Sequence, residues 1–281
     1  MANKGLVITY GSGAEFLQQD TFWVYVESLR NVPDADYVMV THDMPNDVRE
    51  ELRKYNIQVW DFKQPEVYHI VRDRHLAFWQ YLMQHGSCYD YVVATDCKDV
   101  MFQRDPFEWM RNHVVAYTGE FVVLISEGFK MPKSGFACVE HFEFERDVPL
   151  QFLKKDSDRW VLNGGTIMGT TSMMQNLHFL LWSVTMKSIG RVSDQATLNW
   201  LYYYLEADTR YCVVQPHNEG LCLTGEGVKE QGVQPLLEGG VLHNPLKEPY
   251  CILHQWERLD VLREDIFSQY LPEDRLSKLL S

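Results

Sequence analysis

The sequence has no long apolar run. No stretch approaches the twenty or so apolar residues that a membrane-spanning helix needs. The N-terminal Met1-Ala2-Asn3-Lys4-Gly5 runs directly into a strand pattern, without the apolar core of a signal peptide. A transmembrane segment is therefore not expected, and the expected location is cytoplasmic. Paired cysteines are also missing. Cys88, Cys97, Cys138, Cys212, Cys222 and Cys251 never form a C-x-x-C pair. That makes a structural zinc site unexpected and fits a reduced protein. Positive charge is scarce: 26 Lys and Arg stand against 39 Asp and Glu, a net charge of −13. Nucleic acid and anionic membrane surfaces are poor partners for such a chain. A dinucleotide fingerprint is absent too, because the third glycine of G-x-G-x-x-G after Gly11-Ser12-Gly13 would fall at Phe16.

What is present is an ordinary globular balance, with 46% hydrophobic and 23% charged residues in 281. The 8 Trp, 15 Tyr and 14 Phe supply ample core. The first half alternates strand and helix patterns. Leu6–Tyr10, Tyr37–Val40, Ile57–Trp60 and Tyr91–Ala94 read as strands. Helices are expected around Phe22, Val26 and Leu29, from Asp47 (with Glu50 as a capping box) through Tyr55, and over about Val71 to Gln84. This is the pattern of an α/β protein with a mostly parallel sheet. Further on, Phe121–Ile125 reads as a strand and residues 126–150 as a long loop. Val161–Gly169 reads as a glycine-bearing turn into a strand, with helices expected from about Met173 to Ser188 and from Ser193. Tyr211–Val214 and Cys251–His254 read as strands, residues 218–240 as loop, and the tail from Leu259 as mainly helical. No repeat, linker or composition shift divides the chain, so residues 1–281 are expected to form one domain.

The organising stretch is Tyr91-Val92-Val93-Ala94-Thr95-Asp96-Cys97-Lys98-Asp99-Val100-Met101-Phe102-Gln103. A buried strand ends in two carboxylates three positions apart. Open α/β sheets bind ligands at the carboxyl ends of their strands, and two such acids can share a hard divalent cation. An Asp in this place also serves as a plain turn or cap residue.

Taken in order, several motifs resemble the metal-dependent GT-A-fold glycosyltransferases that use nucleotide-diphosphate sugars. Thr95-Asp96-Cys97-Lys98-Asp99-Val100-Met101-Phe102-Gln103 is similar to the D-x-R-D-V-x-F-Q form of one branch. Asn163-Gly164-Gly165 resembles the turn beneath the donor sugar. Asp194-Gln195 with Leu198-Asn199 is similar to a D-Q-x-x-L-N helix start, and His254-Gln255 with Arg258 to an H-Q-x-x-R ending. The resemblance covers about Leu6 to Arg258. It implies a Rossmann-like GT-A sheet and transfer of a sugar from a UDP- or GDP-linked donor to a hydroxyl of a glycan or small acceptor, with a weak preference for retention of configuration. It implies Mn2+ or Mg2+ held by Asp96, Asp99 and His254. It implies a donor site of Thr9, Tyr10, Gly11, Arg74, Asp96, Gly164 and Arg258, and a reaction centre with Asp194 and Asn163. His243 is a weaker rival to His254. Lys98 departs from the family, standing where the branch carries Arg and where the common D-x-D would carry its second acid.

Two other readings stand beside this one. A sugar-1-phosphate nucleotidyltransferase also uses a metal on an α/β sheet, but its first glycine loop is normally basic, and Gly11-Ser12-Gly13-Ala14-Glu15 has no Lys or Arg. A degenerate, non-catalytic nucleotide-sugar or glycan-binding protein is the second. Lys98 favours it, and the set Asp96, Asp99, Asp194 and His254 opposes it.

Overall fold

The computed structural model describes residues 4–12, 18–63, 69–114, 119–130, 159–186, 193–203, 211–216, 219–232 and 235–271. Strands β1 (Gly5–Tyr10), β2 (Ala35–Thr41), β3 (Ile57–Asp61) and β4 (Tyr91–Thr95) pair in parallel in the order β3-β2-β1-β4. This is the 3-2-1-4 half of a doubly wound sheet. Helices α1 (Asp20–Ser28), α2 (Asn46–Lys54) and α3 (Ile70–His85) make the connections. Alternation sorts the side chains: Leu6, Ile8, Val92 and Ala94 face one layer, Val7 and Val93 the other. Both faces are covered, which is why β1 and β4 are apolar almost throughout.

Beyond β4 the sheet continues with β7 (Trp160–Thr170), β6 (Val122–Lys130) and β8 (Cys212–Gln215), giving seven strands in the order β3-β2-β1-β4-β7-β6-β8. Only β7 runs antiparallel to its neighbours. Helices α3, α5 (Thr171–Thr185) and α6 (Asp194–Tyr203) cover one face through Phe78, Tyr81, Leu181 and Leu198. The other face carries α1, α2 and α8 (Asp260–Tyr270), with a small sheet of β5 (Val100–Phe102), β12 (Ile252–His254) and β9 (Cys222–Thr224). The described residues also hold α4 (Pro106–His113), α7 (Gly225–Gln231) and the hairpin of β10 (Leu236–Glu238) and β11 (Val241–His243). Among the described residues no helix is long and apolar enough to cross a membrane.

Several expectations change. Asn163-Gly164-Gly165 does not lead into the strand but lies inside β7, in an irregular stretch where the register against β6 shifts. Residues 126–130 continue β6 instead of starting a loop, and residues 131–150 lie outside the described residues. Residues 218–240 hold β9, α7 and β10. Asp47 and Glu50 form no capping box, because the N-cap is Pro45, two residues before Asp47, and no side chain caps the helix. Asp47 then sits in the first turn, where the helix dipole favours an acid. Helix α4 opens behind Asp105, whose Oδ1 accepts from Phe107 N at 2.8 Å, with Pro106 as its first residue.

Candidate metal and ligand site

The parallel half of the sheet reverses its winding between β1 and β4, the switch point at which α/β sheets open a crevice. A cleft of about 410 Å³ lies there, lined by Tyr10 at the end of β1, by Asp96, Cys97, Lys98 and Asp99 after β4, and by Ile70 and Arg74 of α3. Asp96 is fixed by its own backbone, whose N–H donates to the Gly165 carbonyl at 2.8 Å. Asp99 immediately precedes β5, and the antiparallel pairing of β5 with β12 sets Val100 opposite His254. That pairing carries a histidine from late in the chain to the two early acids. Gln255 then ends the strand in the left-handed region, with φ at 59°, and its N–H donates to the Asp99 carbonyl at 2.6 Å.

His254 Nε2 lies 3.7 Å from Asp96 Oδ2 and 3.6 Å from Asp99 Oδ2. Such separations suit atoms sharing one ion with bonds of about 2.1 Å. Two carboxylates and one imidazole make a hard donor set, suited to manganese or magnesium and not to a thiolate zinc site. Gly165 forms the floor. A Cβ there would come within 2.5 Å of His254 Cε1 and collide with Asp96 Oδ2, so only glycine leaves Asp96 and His254 room. Burial disfavours charge on His254, but Asp99 and Asp96 overcome it and raise its pKa to about 10. A cation held by these three residues would take the place of that proton.

Arg74 ties this cluster to the next. Its Nη1 donates to Asp96 Oδ1, and its Nη2 to Asp194 Oδ2 and, at 3.1 Å, to the Gly164 carbonyl. Asp96 thus divides its oxygens, Oδ1 to Arg74 and Oδ2 toward His254. A second contact of this kind orients a metal-binding carboxylate. Burial opposes charge on both acids, yet Arg74 holds Asp96 and Asp194 below the usual carboxylate range, helped by His254 for the first and His75 for the second.

Behind Asp194 lies a pair of buried histidines. His75 Nε2 is 3.3 Å from Asp194 Oδ2, and His75 Nδ1 is 3.0 Å from His178 Nδ1. A carboxylate only accepts, so His75 carries its hydrogen on Nε2 and accepts at Nδ1 from His178. Burial lowers the pKa of both rings.

On the other side of the glycines, Asn163 Oδ1 accepts from the N–H groups of Gly165 and Thr166 at 2.8 and 2.9 Å. Asn163 Nδ2 donates to Glu127 Oε1 at 2.7 Å, and Gln195 Nε2 reaches the same oxygen at 3.2 Å. Burial pushes the Glu127 carboxyl up, against the pull of His254.

The expected residues thus divide. Asp96, Asp99, His254, Arg74, Gly164 and Asp194 are brought together, with Tyr10 in the cleft wall and Asn163 just beyond Gly164. Tyr10 hydroxyl meets His42 Nδ1 at 2.6 Å. Thr9 is buried, its hydroxyl donating to the Thr95 carbonyl at 2.8 Å, and Gly11 N–H donates to the Val40 carbonyl at 3.0 Å. Arg258 pairs with Glu226 at 2.8 Å and Glu257 at 3.5 Å. His243 sits on β11 with Nδ1 on the Val241 carbonyl, outside the cluster. Ser193, not Asp194, caps α6: its hydroxyl accepts from Ala196 N at 3.1 Å, which leaves Asp194 for Arg74. Sequence reasoning missed Glu127, His75 and His178. Their only signal is polarity in an apolar setting, Glu127 two residues after the run Phe121–Ile125 and His75 on the packed face of α3. The chain matches no family model and no curated protein.

Proposed function

We propose that this protein is a metal-dependent glycosyltransferase of GT-A organisation, moving a sugar from a nucleotide diphosphate to a hydroxyl of a glycan or small acceptor. The observation that carries this reading is the Asp96–Asp99–His254 cluster, seated at the sheet's switch point over Gly165. Breaking the bond from the anomeric carbon to a diphosphate gathers negative charge on the leaving group. A bound manganese or magnesium ion supplies Lewis-acid stabilisation of that charge. The chain's own residues do the rest. The exposed Lys98 at the cleft mouth offers a cation to the diphosphate. Gly164 and Gly165 let a sugar approach the backbone closely.

Arg74 and Asp194 take positioning roles in this reading. Both Nη atoms of Arg74 are engaged by acids, so it orients Asp96 and does not grip a phosphate. Asp194 has both oxygens occupied, Oδ1 by Gln195 N at 2.8 Å and Oδ2 by Arg74 and His75. A carboxylate held low and fully engaged is a poor base. Its work is to hold Arg74. The five described cysteines are free thiols, which suits a reducing compartment such as the cytoplasm.

The test is release of nucleotide diphosphate from UDP- and GDP-sugars, with and without an added acceptor. Release that needs manganese, stops with chelator and is lost in Asp99→Ala is the expected result. Binding without turnover of any donor would point instead to a degenerate binding protein.

A further inference from the structure

Glu127 is the acid of this site that the metal cluster leaves unexplained. It lies in β6 within a run of eight buried residues and is itself 3% exposed. A carboxyl in such a run is costly unless its oxygens are satisfied. One of them is: Oε1 accepts from both Asn163 and Gln195. The other, Oε2, has no hydrogen-bond partner among the described residues.

Its position follows from a bulge in β7. Leu124 of β6 lies opposite Ile167 but Ser126 lies opposite Leu162, so β7 carries extra residues between the two pairs. Asn163 sits in that bulge and folds its Oδ1 back onto the N–H groups of Gly165 and Thr166. Gly165 opens directly onto Asp96 and His254. Glu127 is held to the same bulge by Asn163 Nδ2, near enough to His254 for the imidazole charge to pull on its carboxyl. A sugar whose diphosphate is held at the cluster extends toward Asn163 along the side-chain-free surface of Gly165.

On the glycosyltransferase reading, we propose that Glu127 is a specificity-determining residue for the donor sugar, binding one of its hydroxyls through Oε2 while Asn163 and Gln195 hold Oε1. The two amides fix the carboxyl's plane, so only a hydroxyl at one ring position meets the free oxygen. A site built to pair a buried polar group with a substrate hydroxyl strongly rejects an analogue without it.

The experiment is isothermal titration of wild type and Glu127→Gln, in manganese, with UDP, GDP, UDP-glucose, UDP-galactose, GDP-mannose and deoxy analogues of the sugar bound best. Wild type should bind one nucleotide sugar more tightly than its free nucleotide. One deoxy analogue should lose about tenfold or more, the worth of a single hydrogen bond to a charged group. Glu127→Gln should bind the free nucleotide as wild type does, while the penalty for that one deoxy position disappears. The same penalty in both proteins would overturn the assignment of Glu127. Equal affinity of wild type for every deoxy analogue would overturn it without any variant, and so does not depend on Glu127→Gln folding. Failure of wild type to bind any nucleotide would instead overturn the glycosyltransferase reading on which the proposal rests.

Discussion

Arg74 carries two acids on one guanidinium, and that one residue decides whether the site holds its shape. Its side chain is 17% exposed, those of Asp194 and Asp96 12% and 32%. Removing one partner of a buried ion pair leaves uncompensated charge, at a cost of about 3 kcal/mol. Arg74→Ala should lose about that much in a urea titration; a loss under about 0.5 kcal/mol, ordinary for a surface site, would contradict the clamp. Gly165 is the second such residue. Gly165→Ala drives a methyl into Asp96 and His254. It should cost about 1–3 kcal/mol through overpacking and abolish stabilisation by manganese; an unchanged manganese response would show that Gly165 is not the floor of the cluster. The histidine pair has a pH signature. His75 and His178 have pKa values lowered from 6.5 in the fold, so below about pH 6.5 the unfolded chain binds protons that the native state does not. Their contribution is full above that range and is lost as pH falls. His178→Phe should flatten the slope of unfolding free energy against pH between 7 and 5. A slope equal to wild type would mean that His178 is not buried neutral.

At the scale of elements, β7 joins the two halves of the site. Its C-terminal half pairs with β4, but β4 ends at Thr95 opposite Thr166, so Leu162 has no strand on that side. Asn199 of α6 fills the place, accepting from Leu162 N at 2.8 Å and donating to Leu162 O at 2.9 Å. Asn199→Ala leaves both groups buried without a side-chain partner, at about 1–3 kcal/mol each. Its denaturation midpoint should fall accordingly, and a midpoint equal to wild type would show that α6 docks by apolar contact alone. The same elements show what was legible in the sequence. The four parallel strands and their helices follow from apolar runs and helical spacing, and the acids Asp96 and Asp99 stand out at the end of β4. Strand β7 was hidden by Gly164, Gly165 and Gly169, which read as a turn and are in fact clearances for Gln195, for the ligand atoms and for Phe121. Strand β9 has three residues, too short for periodicity to show, whereas β12 is legible as the apolar run Cys251–His254; the pairing of the two is set by tertiary contact. Glu127 carries no such signal, because an acid two residues past an apolar run has the composition of a loop although β6 continues through it.

For the whole molecule the governing quantity is charge. A chain of −13 repels an anionic ligand unless positive charge is placed locally. The described cleft offers little of it: Arg74 is consumed by Asp96 and Asp194, and Lys98 stands among acids. On the glycosyltransferase reading, a divalent ion held by Asp96, Asp99 and His254 would turn that cleft from one that repels a diphosphate into one that binds it. Nucleotide binding should therefore depend on the cation throughout. The measurement that tests this most directly is thermal unfolding with a panel of nucleoside diphosphates, with and without manganese. A ligand that binds only the native state must raise its stability by mass action. The account predicts a rise in Tm for one nucleotide, present only with manganese and lost in Asp99→Ala and His254→Ala. A rise that persists in chelator, or no rise with any nucleotide, would contradict it.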